Sequence, residues 1–128
     1  MTVQGLDHVN IRVRDPEATA AFLIDVLGMA RSPERSTWIV DAAGHPAIHL
    51  GSVDATYPSD DWRPFQAYEN SGVVHHVALA CTGYDDVAAR LEALGLEHSI
   101  NAIPMASLRQ IFVVEPGGVL LELNFREG

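Results

Sequence analysis

The chain is short of cysteine, of basic residues and of long apolar runs. Its one cysteine, Cys81, excludes an internal disulfide and makes a cytoplasmic location the expectation. Cys81 lies in an apolar stretch and reads as a small core residue. Eight Lys and Arg stand against 17 Asp and Glu, for a net charge of −9 and a pI near 4.9. An acidic surface repels phosphate backbones, so nucleic acid is not expected as a partner. No apolar run approaches the roughly 20 residues that span a bilayer, and no basic amphipathic helix suggests a membrane surface. The N-terminus lacks the basic and apolar regions of a secretory signal. What remains is a chain of 128 residues, 48% hydrophobic, sized for one compact domain or for two small modules sharing a core.

The text repeats. Leu6-Asp7-His8-Val9-Asn10-Ile11-Arg12 returns as Val74-His75-His76-Val77-Ala78-Leu79-Ala80. Each copy precedes a helical stretch ending in Leu-Gly, at Leu27-Gly28 and Leu94-Gly95. Each then reaches a strand with one polar residue between apolar ones, Ile48-His49-Leu50 and Leu121-Glu122-Leu123. The register nearly holds, at 68 positions from His8 to His76, 67 from Gly28 to Gly95 and 73 from His49 to Glu122. Such self-similarity marks two copies of one module.

Residues 6–13 alternate, with Val9, Ile11 and Val13 on one face and His8, Asn10 and Arg12 on the other. Asp15-Pro16 opens a helix, Asp15 as N-cap and Pro16 at the first position, and Gly28 closes it. Residues 36–41 and 47–50 read as strands around a turn at 42–46. The second module runs as a strand at 74–81, a helix at 85–94, an edge strand over His98–Ile103 stopped by Pro104, and strands at Leu108–Val114 and 119–125 around the turn Glu115-Pro116-Gly117-Gly118. The order is βαβββ twice, an α+β fold of two tandem modules, about 5–50 and 73–126. Two such modules are expected to pair their sheets around a concave face, with the helices outside. The linker 51–72 carries Tyr57, Trp62, Phe65 and Tyr68. Long loops of this kind are often functional, and its aromatics could roof a pocket or simply anchor the loop.

Parity selects the candidate site. If the apolar positions pack beneath the helices, His8, His49, His76 and Glu122 all emerge on the opposite face of equivalent strands. An acid between Leu121 and Leu123 is costly to leave unpaired. Three imidazoles and a carboxylate suit one divalent ion, Fe, Mn, Co, Ni or Zn, with two positions left for a bidentate oxygen substrate. His45, His75 and His98 read as structural. Asn10, Arg12 and Arg109 on strands, and Tyr57 and Trp62 in the loop, are the candidate substrate contacts.

These stretches, with Arg109-Gln110-Ile111-Phe112-Val113-Val114-Glu115-Pro116-Gly117-Gly118, resemble the vicinal oxygen chelate superfamily over essentially the whole chain. That superfamily spans glyoxalases, bleomycin-resistance proteins and extradiol dioxygenases. The resemblance implies paired βαβββ modules, metal ligands at His8, His49, His76 and Glu122, a small-molecule substrate and a homodimer, with the site built within one chain or across two. Bacterial glyoxalase I carries a glutamate where this chain has His49, which leaves Glu122 as the one carboxylate able to move a proton. Extradiol dioxygenases carry a tyrosine near Phe112, and fosfomycin-modifying relatives a basic cluster of which only Arg109 is present. Three functions follow: a metal-dependent glyoxalase-like lyase or isomerase with Glu122 or a metal-bound hydroxide as catalytic base, an extradiol-type dioxygenase using His8, His76 and Glu122, or a non-catalytic small-molecule binding protein.

Overall fold

The computed structural model describes residues 1–2, 4–56, 58–61 and 74–126. The chain divides into two compact units, Met1–Ala67 and Tyr68–Gly128. The first holds β1 (Val9–Val13), α1 (Pro16–Ala21) continuing as a π-helical segment Phe22–Val26, β2 (Ala30–Arg31), β3 (Trp38–Val40), β4 (Pro46–Ser52) and a 3-10 turn at Pro58–Asp61. The second holds β5 (Val77–Cys81), α2 (Tyr84–Ala93), β6 (His98–Ile103), a 3-10 turn at Pro104–Ala106, β7 (Leu108–Val114) and β8 (Leu120–Phe125). The fold is therefore α+β, two βαβββ modules as the sequence predicts.

The two sheets have one topology. Their orders are β1-β4-β3-β2 and β5-β8-β7-β6. In each, the first and last strands of the module pair in parallel and the remaining pairs are antiparallel. The register repeats as well. Val9 pairs with Ile48 and Asn10 with His49, while Val77 pairs with Leu121 and Ala78 with Glu122. Side chains alternate along a strand, so one face of each sheet is apolar. Ile11, Val13, Ile48 and Leu50 are buried in the first unit, and Leu121, Leu123 and Phe125 in the second.

The uneven spacing of the repeat has a structural cause. In module 2 the Leu96 N–H closes the helix end on the Leu91 carbonyl, a Schellman-type bond five residues back. In module 1 the corresponding bond runs from Met29 to Leu23, six residues back. The extra residue sits in the π segment, the usual form of a one-residue helix insertion. Gly28 (φ +71°) and Gly95 (φ +64°) occupy the left-handed position that follows each helix. The later slip, from 67 to 73, reflects longer strands: β6 and β7 have six and seven residues where β2 and β3 have two and three.

Several boundaries differ from the sequence reading. β1 and β5 start at Val9 and Val77 rather than at 6 and 74, so His8 and His76 each sit one residue before a strand. β4 runs to Ser52, into the predicted linker, and the strand of the βαβββ order that the sequence leaves unplaced in module 1 is the two-residue β2. Asp15 caps α1 as predicted, its Oδ1 accepting the Ala18 N–H at 3.1 Å, with Pro16 in the first turn. No helix among the described residues is long and apolar enough to cross a membrane.

The β7–β8 turn is held by a buried acid. Glu115 is 1% exposed. It accepts the Gly117 N–H at 2.7 Å through Oε2 and the Val119 N–H at 2.9 Å through Oε1. Glu115→Gln would set an amide NH2 against one of these backbone donors. The expected cost is about 1–3 kcal/mol of unfolding free energy, the penalty for a buried donor without an acceptor, read from urea unfolding.

Candidate metal centre

In the first unit His8 and His49 lie diagonally across the β1–β4 pair, because Asn10 is the register partner of His49 and His8 is two residues earlier. Their ring centroids are 6.5 Å apart. Trp38, the β3 register partner of His49, contacts both. It stacks on His49 at 4.4 Å with the planes 5° apart, and meets His8 edge-on at 4.7 Å. The Arg35 guanidinium lies 4.8 Å from the indole centroid on Trp38. Burial, then the neighbouring His8 and then Arg35, push the His49 pKa below its ordinary 6.5. His49 is thus held as neutral imidazole, the form that ligates a metal.

The second unit repeats the diagonal with a carboxylate. Ala78 is the register partner of Glu122, and His76 is two residues before Ala78. His76 Nε2 lies 3.8 Å from Glu122 Oε2. That exceeds hydrogen-bond reach. Two donors each about 2.1 Å from one ion stand roughly 3–4.2 Å apart for angles between 90° and 180°, so this pair fits a shared ion without rearrangement. Glu122 is held in turn by Asn124, whose Nδ2 donates to Oε2 at 3.1 Å.

The residue before each histidine fixes its ring. Asp7 Oδ2 accepts from His8 Nδ1 at 2.5 Å, which leaves Nε2 with the lone pair. The Asp7 carboxyl is held below the usual carboxylate range by this hydrogen bond and the His8 charge, and further by His45. His75 and His76 meet through their Nδ1 atoms at 2.9 Å. When His76 donates, its Nε2 carries the lone pair and faces Glu122.

These facts carry a family. The sequence profile of the Glyoxalase/Bleomycin resistance protein/Dioxygenase superfamily matches residues 5–123. The chain belongs to that superfamily. Solved structures share its fold. The fosfomycin-resistance protein FosX from Listeria monocytogenes superposes with a TM-score of 0.69 at 21% identity, covering 97% of this chain and 94% of that one. The oxidase ChaP-H2 gives 0.67 at 23% identity over 99% and 96%. An integron cassette protein from the mobile metagenome of V. cholerae gives 0.71 at 19% over 99% and 98%. No curated protein matches the chain.

Superfamily members commonly use a divalent metal, and imidazole and carboxylate are side chains of the kind that bind one. Each module sets two potential donors on one diagonal, and no group of three or more His, Cys, Asp or Glu side chains is gathered among the described residues. The other sequence candidates have contacts of their own. Asn10 donates to the His49 carbonyl at 3.2 Å and ties β1 to β4. Arg12 is paired with Asp60 at 3.0 Å and donates to the Ala55 carbonyl, which secures the segment after β4. Arg109 is not brought to Glu122. It shares parity with Ile111 and Val113, and its guanidinium lies 4.0 Å from the Tyr84 ring centroid of α2, on the helix side of the sheet. Tyr57 and Trp62 lie outside the described residues. His45 donates to the Asp7 carbonyl at 2.7 Å, and His98 to the Leu96 carbonyl at 2.8 Å, both structural as expected. Sequence reading passes over Trp38 and Asn124 and takes His75 as structural. Strand parity was the available signal for Trp38 and Asn124, which share a face with His49 and Glu122.

The His49 shift has a pH consequence. The unfolded chain binds a proton at His49 below about pH 6.5, and the folded chain only at lower pH. The stability this group contributes is complete above the unfolded value and is lost as pH falls through the folded one. An NMR titration should place His49 below 6.5. Trp38→Ala, which removes the stacked ring, should move it upward; an unchanged midpoint would show that the indole does not shield His49.

Proposed function

We propose that this protein is a divalent-metal-dependent, glyoxalase-like lyase or isomerase acting on a small oxygenated substrate, with His8, His49, His76 and Glu122 as ligands to one ion. The observation that carries this reading is the repeated diagonal: one strand pairing, used twice, presents His8 with His49 and His76 with Glu122. Membership of a superfamily that commonly uses metal supports it. When bound, a divalent ion supplies a Lewis acid for a substrate with two neighbouring oxygens, such as a hydroxyketone, an enediolate or a diol.

The chain's own groups have distinct tasks in this reading. His8, His49 and His76 present ring nitrogen donors. Glu122, the one carboxylate of the set, accepts a proton from the substrate carbon and returns it to a neighbouring position. Asn124 holds Oε2 of Glu122 and so directs the proton-accepting lone pairs. Trp38 covers one side of the His49 ring and gives the substrate an apolar wall that excludes water. The oligomer expected from the family resemblance is a homodimer.

Ring cleavage of the extradiol type is the weaker reading. Phe112 is the register partner of Glu122 and offers no hydroxyl to the substrate there. Trp38 occupies the equivalent position in module 1, also without a hydroxyl.

Elemental analysis of tag-free protein prepared without chelators tests the reading. About one divalent ion per chain is expected in the parent, and loss of it in both His76→Ala and Glu122→Gln. Chelation should abolish turnover of hydroxyketone or hemithioacetal probes. No uptake of Mn, Fe, Co, Ni or Zn would contradict a metal enzyme of either kind, and oxygen uptake with a catechol would favour the dioxygenase.

A further inference from the structure

Three amides lie in a row across the second sheet and end on Glu122. Asn101 Nδ2 donates to Gln110 Oε1 at 2.8 Å, Gln110 Nε2 donates to Asn124 Oδ1 at 3.0 Å, and Asn124 Nδ2 donates to Glu122 Oε2 at 3.1 Å. The backbone register puts them there: Asn101 pairs with Gln110, and Gln110 with Asn124, so the three share one face of β6, β7 and β8. Glu122, two residues before Asn124, is on that face too. Gln110 is 7% exposed and Asn101 is exposed.

The direction of the row follows from its end. An ionised carboxylate accepts and cannot donate. Asn124 must therefore turn its NH2 to Glu122, which leaves its oxygen facing Gln110. Gln110 must then turn its NH2 to Asn124 and its oxygen to Asn101. No amide in the row can flip without setting donor against donor or acceptor against acceptor. The buried middle member makes such a flip costly. A carboxylate beside a histidine donor is thus held at one oxygen by a chain that has a single arrangement.

We infer that Asn101, Gln110 and Asn124 form a one-way hydrogen-bond ladder that aims the Glu122 carboxylate, with Asn124 and Gln110 as its positioning residues. The inference rests on the metal reading of Glu122. It assigns to side chains outside the donor set the task of fixing which oxygen of Glu122 is engaged and where the other points. In the first module the Trp38 ring stacks on His49.

The test uses the full chain and Co(II) alone as probe, with affinity and the visible spectrum as readouts. Asn124→Leu keeps the size and removes the hydrogen bonds; it should weaken Co(II) binding about 10–100-fold, the usual effect of losing a partner that orients a ligand. Gln110→Leu should weaken it less, and exposed Asn101→Ala least. The Co(II) bands should change in the same order. Equal affinity in all three folded variants would overturn the inference. A second readout needs no metal. The Asn124 side-chain amide protons of the metal-free protein should shift on Glu122→Gln, with a smaller shift at Gln110, and unmoved resonances would overturn the ladder even where Asn124→Leu fails to fold. Failure of the parent to bind Co(II), Mn, Fe, Ni or Zn is a separate result: it removes the metal reading, and this inference with it, whatever the amide resonances do.

Discussion

The parallel pairing of the first and last strand of each module sets the rest of the arrangement. Parallel strands keep a fixed stagger, and their side chains alternate between faces. Once Val9 faces Ile48 and Val77 faces Leu121, the helix-side positions are committed to apolar residues. The residue before the first strand then stands diagonally across from the first polar residue of the last. In module 1 that diagonal is His8 with His49, and in module 2 it is His76 with Glu122. One ladder register thereby carries both the core and the candidate site. A slip of one residue in either pairing would send the polar donors under the helix and the leucines to the other face. The buried leucines, Leu121 and Leu123, oppose that slip.

The modules secure their donors by different means. In module 1 an aromatic ring does so beside the Asp7–His8 hydrogen bond: Trp38 lies flat on His49 and edge-on to His8. In module 2 hydrogen bonds do so, with His75 against His76 and Asn124 against Glu122. The difference suits the donors. The planar His49 ring is stacked by Trp38, while the charged Glu122 carboxylate is oriented by an N–H donor. The duplication kept the strand register and let the surroundings of each donor diverge.

The sequence made the modules legible through features that depend on neighbours along the chain. Alternation in β1, β4 and β8, the Asp15-Pro16 start and the Gly28 and Gly95 stops are all local. The donor parity followed from them. The remainder depends on cross-strand register or on distant partners. β2 has two residues and leaves no periodicity to read. The π segment shows in the sequence only as the one-residue slip between the repeats. Arg12 is held by Asp60, far along the chain, and nothing near Arg12 announces it. The amide ladder exists only because Asn101, Gln110 and Asn124 come into line across three strands. Arg109 is a different case: its parity with Ile111 and Val113 was readable, and points it to the helix side, where it covers Tyr84.

The number of imidazoles on one ion tests the central claim most directly. X-ray absorption fine structure of the protein loaded with Co(II) or Zn(II) counts them through their ring scattering. Three imidazoles with at least one carboxylate oxygen are expected, since His8, His49, His76 and Glu122 are taken to share the ion. Two imidazoles or fewer, unchanged on replacement of His49 by alanine, would contradict a site drawn from both modules.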